Sequence, residues 1–191
     1  MKHSLRLAAA ALLCSASAAA SAHTGHGTES LFAGLIHPLA PDHLIAALAI
    51  GVWSAAALPA GRRVIGPLLF LACLLAGALA GTVVTPVPLL ESGLAASVAL
   101  LGAMLIAPRA LPLALGLMVV AAASALHGVA HGAEWTAGSF AAYAAGFVTS
   151  TAVLQAAGLA AGRWMLLARQ WAWRAVGAAG TVAGVLMLAP A

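Results

Sequence analysis

The sequence predicts an all-α, polytopic membrane protein: six transmembrane helices behind a cleavable amino-terminal signal peptide. Three observations carry this expectation. The 191 residues are 64% hydrophobic and only 6% charged, with a mean hydropathy of +1.08, more apolar surface than a soluble fold can hide. The apolar residues gather into long segments separated by short polar or proline-containing connections. The arginines sort to alternate connections.

Residues 1–22, MKHSLRLAAAALLCSASAAASA, begin with Lys2 and Arg6, continue with a short apolar run and end on Ala20-Ser21-Ala22. That is the layout of a secretory signal with an A-x-A-like cleavage site; the alternative is a first transmembrane helix that stays attached. Leu13 precedes Cys14, where a lipoprotein site wants a small residue, so no lipid anchor is expected. Cys14 and Cys73 are too distant and too different in context to suggest a disulfide framework or a thiolate metal site. Cleavage would expose a tail over 23–30 that carries His23 and His26, and a His-x-x-His tail either captures metal or is merely solvated.

Residues 31–191 then form the six-helix transmembrane domain. Its apolar segments run over roughly 31–57, 64–84, 92–107, 111–132, 137–161 and 173–189. The first is long and interrupted by Pro38 and Pro41; the third is short. Small residues such as Gly77, Gly81, Gly146, Gly158, Gly162, Gly177, Gly180 and Gly184 suit close helix packing in lipid.

With the mature chain starting outside, the first, third and fifth connections fall inside. They hold Arg62 and Arg63, Arg109, and Arg163, Arg169 and Arg174; the second and fourth hold Glu91 and Glu134 and no basic residue. All six arginines thus lie on the cytoplasmic side, which puts both mature termini in the periplasm or exterior. Basic residues scattered this way make no nucleic-acid patch in spite of a pI near 10.1. The expected surroundings are membrane lipid. No GxxxxGK[ST] loop is present, so no ATP hydrolysis is expected of this chain.

Ionisable side chains within spans are costly and face a bundle interior or a wet path. Here they form two clusters. In HPLAPDH, two prolines break the helix and free carbonyls, an arrangement tolerated where it lines a cavity or is buried in protein. His37 enters about 9 Å deep at helical rise, and His43 lies further in with Asp42 beside it. In ALHGVAHGAEW, His127, His131 and Glu134 follow i, i+4, i+7 spacing and share a helix face. The proposed topology puts both clusters in the outer half of the membrane. Imidazoles with a few carboxylates and no thiolate suit nickel, cobalt, zinc or copper(II) better than magnesium or calcium. The plain alternative is that each histidine satisfies a neighbouring carbonyl or helix end.

Thr149, Ser150, Thr151 and Gln155 place hydroxyls and an amide on the inner half of the fifth span. Packing between helices explains the hydroxyls as well as a permeation path does, whereas an amide in hydrocarbon needs partners. Thr151 and Gln155 are therefore the candidates for an inner pathway. Trp53, Trp135, Trp164, Trp171 and Trp173 fall near span ends and read as interface anchors. Glu91 reads as the end of a loop.

The chain resembles the HupE/UreJ family of nickel permeases, within the wider nickel/cobalt transporter group. The resemblance runs through HTGHG, GLIHPLAPDHLIAALAIGVWSA, HGVAHGAEW and AAYAAGFVTSTAVLQAAGLAAG. It implies uptake of Ni(II), sometimes cobalt, from the periplasm across the bacterial inner membrane for hydrogenase or urease maturation, the metal being cargo rather than a resident cofactor. His37, Asp42, His43, His127, His131 and Glu134 fall on its motif residues. Two positions depart. The family's first motif usually has one more residue, with a glycine, before Asp-His, whereas Pro41 here directly precedes Asp42. Gln155 stands where a histidine is common. Two other readings compete: an intramembrane zinc-dependent hydrolase with Glu134 as base, and a metal-sensing or assembly subunit that moves nothing.

Overall fold

The computed structural model describes residues 31–84, 87–135, 139–167 and 170–189. The expected signal peptide and the His23 and His26 tail lie outside the described residues. Among the described residues the chain is all helical, with α1 (Leu31–Ile36), a 3-10 turn (His37–Leu39), α2 (Pro41–Ala57), α3 (Ile65–Gly81), α4 (Leu90–Ile106), α5 (Leu113–Glu134), α6 (Phe140–Met165) and α7 (Gln170–Met187). Each expected apolar segment overlaps a helix, and the first overlaps two, with ends that differ by up to four residues.

The break in the first segment follows from its prolines. Ala40, the residue before Pro41, is extended at φ −57 and ψ 142, and Pro41 opens α2 at its first turn, where a missing N–H costs nothing. The Ala40 N–H turns back to His37 O at 3.0 Å. The axes on either side differ by 76°.

By length and composition three helical segments can cross a bilayer: Ala60–Gly81, Leu113–Glu134 and Phe140–Met165. The bent pair Leu31–Leu39 and Pro41–Ala57 qualifies when taken as one span. The apolar helix α4 has 17 residues and rises about 25 Å, short of the roughly 30 Å hydrocarbon core. α7 opens on Gln170 and Arg174, which dilute its apolar character. Large apolar side chains such as Leu68, Leu79, Met118 and Val153 stay more than half exposed. They face outward as they would toward lipid.

The helices pack mainly in three pairs: α3 with α5, α4 with α7, and α1–α2 with α6. Glycines set the approach. A Cβ on Gly128 of α5 would run into Leu74 O and Ala78 N of α3, and one on Gly51 of α2 would run into Gln155 O of α6. The registers also fix direction. Gly77 and Gly81 face Ala125 and Val129, so α3 and α5 run the same way; Gly102 and Gly184 face Thr181 and Ala99, so α4 and α7 run oppositely. Gly51 meets Gln155 and Gly162 meets Val52, making α2 and α6 parallel.

Two tryptophans differ from the interface reading. Trp53 is 3% exposed and its ring lies against Gly116. Trp173 is 8% exposed and donates Nε1–H to Met165 O at 3.0 Å. Both fill gaps between helix ends, where a large ring packs better than it would against headgroups. Trp164 and Trp171, by contrast, are exposed.

Candidate metal centre

The helix break turns a sequence pattern into a cluster. On an unbroken helix His37 and His43 would stand about 120° apart around the axis and about 9 Å apart along it. The bend folds them together, with ring centroids 5.0 Å apart and nearly perpendicular. His127 and His131, one turn apart on α5, present their rings to the same place. His43 lies 4.7 Å from His127 and 4.6 Å from His131, and His37 lies 4.5 Å from His131. His43 is thus the hub of four imidazoles. His43 is 4% exposed, and His127 and His131 are fully buried.

The ring nitrogens divide into two kinds. Ser97 Oγ of α4 donates its one proton to Leu94 O at 2.7 Å, since a carbonyl can only accept. The same oxygen lies 3.0 Å from His127 Nε2, so it accepts there and fixes the Nε2–H tautomer. That leaves His127 Nδ1 as a bare lone pair, without a partner among the described residues. His131 Nδ1 meets the Tyr143 hydroxyl at 3.3 Å, leaving Nε2 unpartnered. Phe147 stacks on the His131 ring at 4.3 Å and 16° and holds its plane. His43 Nδ1 stands 2.9 Å from Asp42 Oδ2, close enough for a favourable charge contact though outside hydrogen-bond geometry. Its Nε2 is unpartnered as well.

Three buried imidazoles therefore each turn one nitrogen to a protein group and keep the other open. Buried polar atoms without partners are rare and costly, and this division of labour is how metal-binding histidines are oriented. Two triads have ligand atoms within 4.8 Å of one another: His37, His43 and His131, and Asp42, His43 and His127. They share His43. Such a donor set of imidazoles with one carboxylate suits a late first-row divalent ion.

The other expected site residues are placed differently. Glu134, at the end of α5, falls in neither triad; its Oε2 lies 3.1 Å from His37 Nε2, at the partly exposed rim. Thr151 and Gln155 are buried on α6, but Gln155 follows Tyr143 by twelve residues, about 18 Å along the helix. They do not join the imidazoles. Among the described residues both Gln155 amide atoms lack partners, as does the buried Ser54 Oγ of α2. Thr149 simply returns its hydroxyl to Ala145 O at 2.7 Å, and Glu91 is exposed in the first turn of α4.

Ser97 and Tyr143 went unnoticed in the sequence. A serine in a helix reads as packing, and nothing local ties Ser97 to a histidine thirty residues on. Tyr143 carried a usable signal, being the chain's one tyrosine, with a hydroxyl that needs a partner inside a span.

The family profile for "HupE / UreJ protein" matches residues 10–187. The chain is 32% identical over 143 residues to "Protein HupE" of Rhizobium leguminosarum bv. viciae, an alignment covering 73% of this chain and 74% of that protein. No solved structure gives a significant match. With a profile match over nearly the whole chain and a relative aligned over most of its own length, this chain belongs to the HupE/UreJ family.

Proposed function

We propose that the chain is a six-span permease of the bacterial inner membrane. It carries a divalent transition metal, Ni(II) in the first place with Co(II) or Zn(II) as alternatives, from periplasm to cytoplasm for hydrogenase or urease maturation. The observation that carries this reading is the set of open nitrogens on His43, His127 and His131, each ring braced from its other side. Family membership supports nickel. The alternating helix directions support six crossings, with α4 and α7 crossing as an antiparallel pair. They also put Arg62, Arg63, Arg109, Arg163 and Arg174 at the end away from the histidines, as the inward rule for positive charge requires.

Permeation needs an ion to leave as readily as it binds. Two triads hinged on one shared imidazole provide this. An ion held by His37, His43 and His131 passes to Asp42, His43 and His127 without losing its central ligand. Glu134 at the rim receives the incoming ion, and the tail with His23 and His26 raises its local concentration. Further in, the open amide of Gln155 with Thr151 forms a weaker station. A membrane potential favours inward movement of a divalent ion by about 4.6 kcal/mol per 100 mV.

The test is accumulation of radiolabelled nickel, cobalt and zinc, in competition, by cells with and without the protein. Nickel uptake that depends on the protein and disappears in His43→Ala supports the reading. Equal accumulation of all three metals with and without the chain overturns it.

A further inference from the structure

At the end of the bundle away from the histidines, α2, α4 and α6 finish and α7 begins around a cavity of about 480 Å³. Ala56, Ile106, Leu166 and Trp173 form its apolar walls, and Arg109 and Arg174 line it with charge. No carboxylate of the described residues lines it. The chain's four acids are Glu29, Asp42, Glu91 and Glu134. Asp42 sits fourteen residues before Ala56 on α2, about 21 Å away along the axis. Arg109 gives Nε–H to Ala56 O at 2.9 Å, which fixes the guanidinium at the end of α2. No other described protein group pairs with it or with Arg174. Two guanidiniums without a counter-charge among the described residues, in a chain this poor in polar groups, form an anion site, and their planar forks match the oxygens of a phosphate.

We propose that this cavity holds the phosphodiester headgroup of an anionic phospholipid. The apolar walls distinguish this from a site for a free anion. Inorganic phosphate is best held by donors on several sides, whereas Ile106, Leu166 and the Trp173 ring, fixed by its bond to Met165 O, offer contact for glycerol and the first methylenes of a lipid. The position agrees: the cavity lies at the level where helices end, flanked by the exposed Leu167 and Trp171, the depth of a headgroup layer. Basic pockets between membrane helices bind anionic headgroups in this way. The site stands apart from the imidazole cluster and does not depend on what metal that cluster carries.

The test is native mass spectrometry of the full-length purified protein with phosphatidylglycerol, with phosphatidylcholine, and with inorganic phosphate as competitor. Phosphatidylglycerol should be retained about tenfold more strongly than phosphatidylcholine, and Arg174→Gln should remove most of that preference, consistent with the loss of one charge-assisted contact. Arg174 is exposed, so its replacement leaves the fold and nickel binding intact; Arg109→Gln is the second variant, read beside its melting temperature. Equal retention of the two lipids, a preference unaffected by Arg174→Gln in a folded protein, or displacement of the lipid by millimolar phosphate would each overturn the proposal.

Discussion

Replacing Ser97 with alanine tests the imidazole geometry without touching a ligand. Ser97 is 7% exposed and His127 fully buried, so the variant leaves His127 Nε2–H facing carbon. A buried donor without an acceptor costs about 1–3 kcal/mol. The ring proton is then no better placed on Nε2 than on Nδ1, the nitrogen that the structure leaves open for an ion. A ring with the proton on Nδ1 must give it up before a metal can bind there, so binding through Nδ1 becomes harder. Losing the group that orients a ligating histidine weakens metal affinity about 10–100-fold, or about 1.4–2.7 kcal/mol. The assay is competition for Ni(II) between the detergent-solubilised protein and a fluorescent chelator, with thermal unfolding as control. Ser97→Thr keeps the hydroxyl and should recover much of the loss. An affinity within twofold of the parent in a folded Ser97→Ala protein would refute the assignment of Nδ1 as the binding nitrogen.

Further expectations follow from the same geometry. His43→Ala should abolish specific nickel binding, whereas His37→Ala and His127→Ala should each leave residual binding, because only His43 belongs to both triads; the same chelator titration ranks them. Tyr143→Phe should weaken binding less than Ser97→Ala, since its contact to His131 is 3.3 Å against 3.0 Å. Gly128→Leu should prise α3 from α5 where the added side chain meets Leu74 O. Overpacking of that kind costs about 1–3 kcal/mol and should appear as a lowered melting temperature. Gln155→Leu should separate stability from function. It removes a buried amide with no partner, so the melting temperature should hold or rise, while nickel flux into proteoliposomes should fall.

The fold was legible where length and solvent dictate it. Apolar segments long enough for a bilayer became helices at nearly the expected places, and Pro38 and Pro41 announced the break, although not its 76° angle. α4 and α7, which do not qualify as spans by length and composition, are those whose short length or polar start weakens the hydropathy signal. The histidines stood out because ionisable groups in hydrocarbon are scarce. That His43 would meet His127 and His131 is tertiary information, set by glycine contacts and the bend rather than by any local pattern. Ser97 escaped notice because its role exists only across that tertiary contact. Trp53 and Trp173 misled by position: nearness to a helix end says where a ring lies along the axis and not which way it faces.

The central claim is that imidazoles from two distant segments close around one cargo ion. Diffraction from nickel-soaked crystals of the protein, collected at the nickel absorption edge, tests it most directly. The account requires an anomalous peak among His37, His43, His127 and His131, within bonding distance of a His43 ring nitrogen. A peak elsewhere, or none at this cluster in a protein that binds nickel in solution, contradicts it.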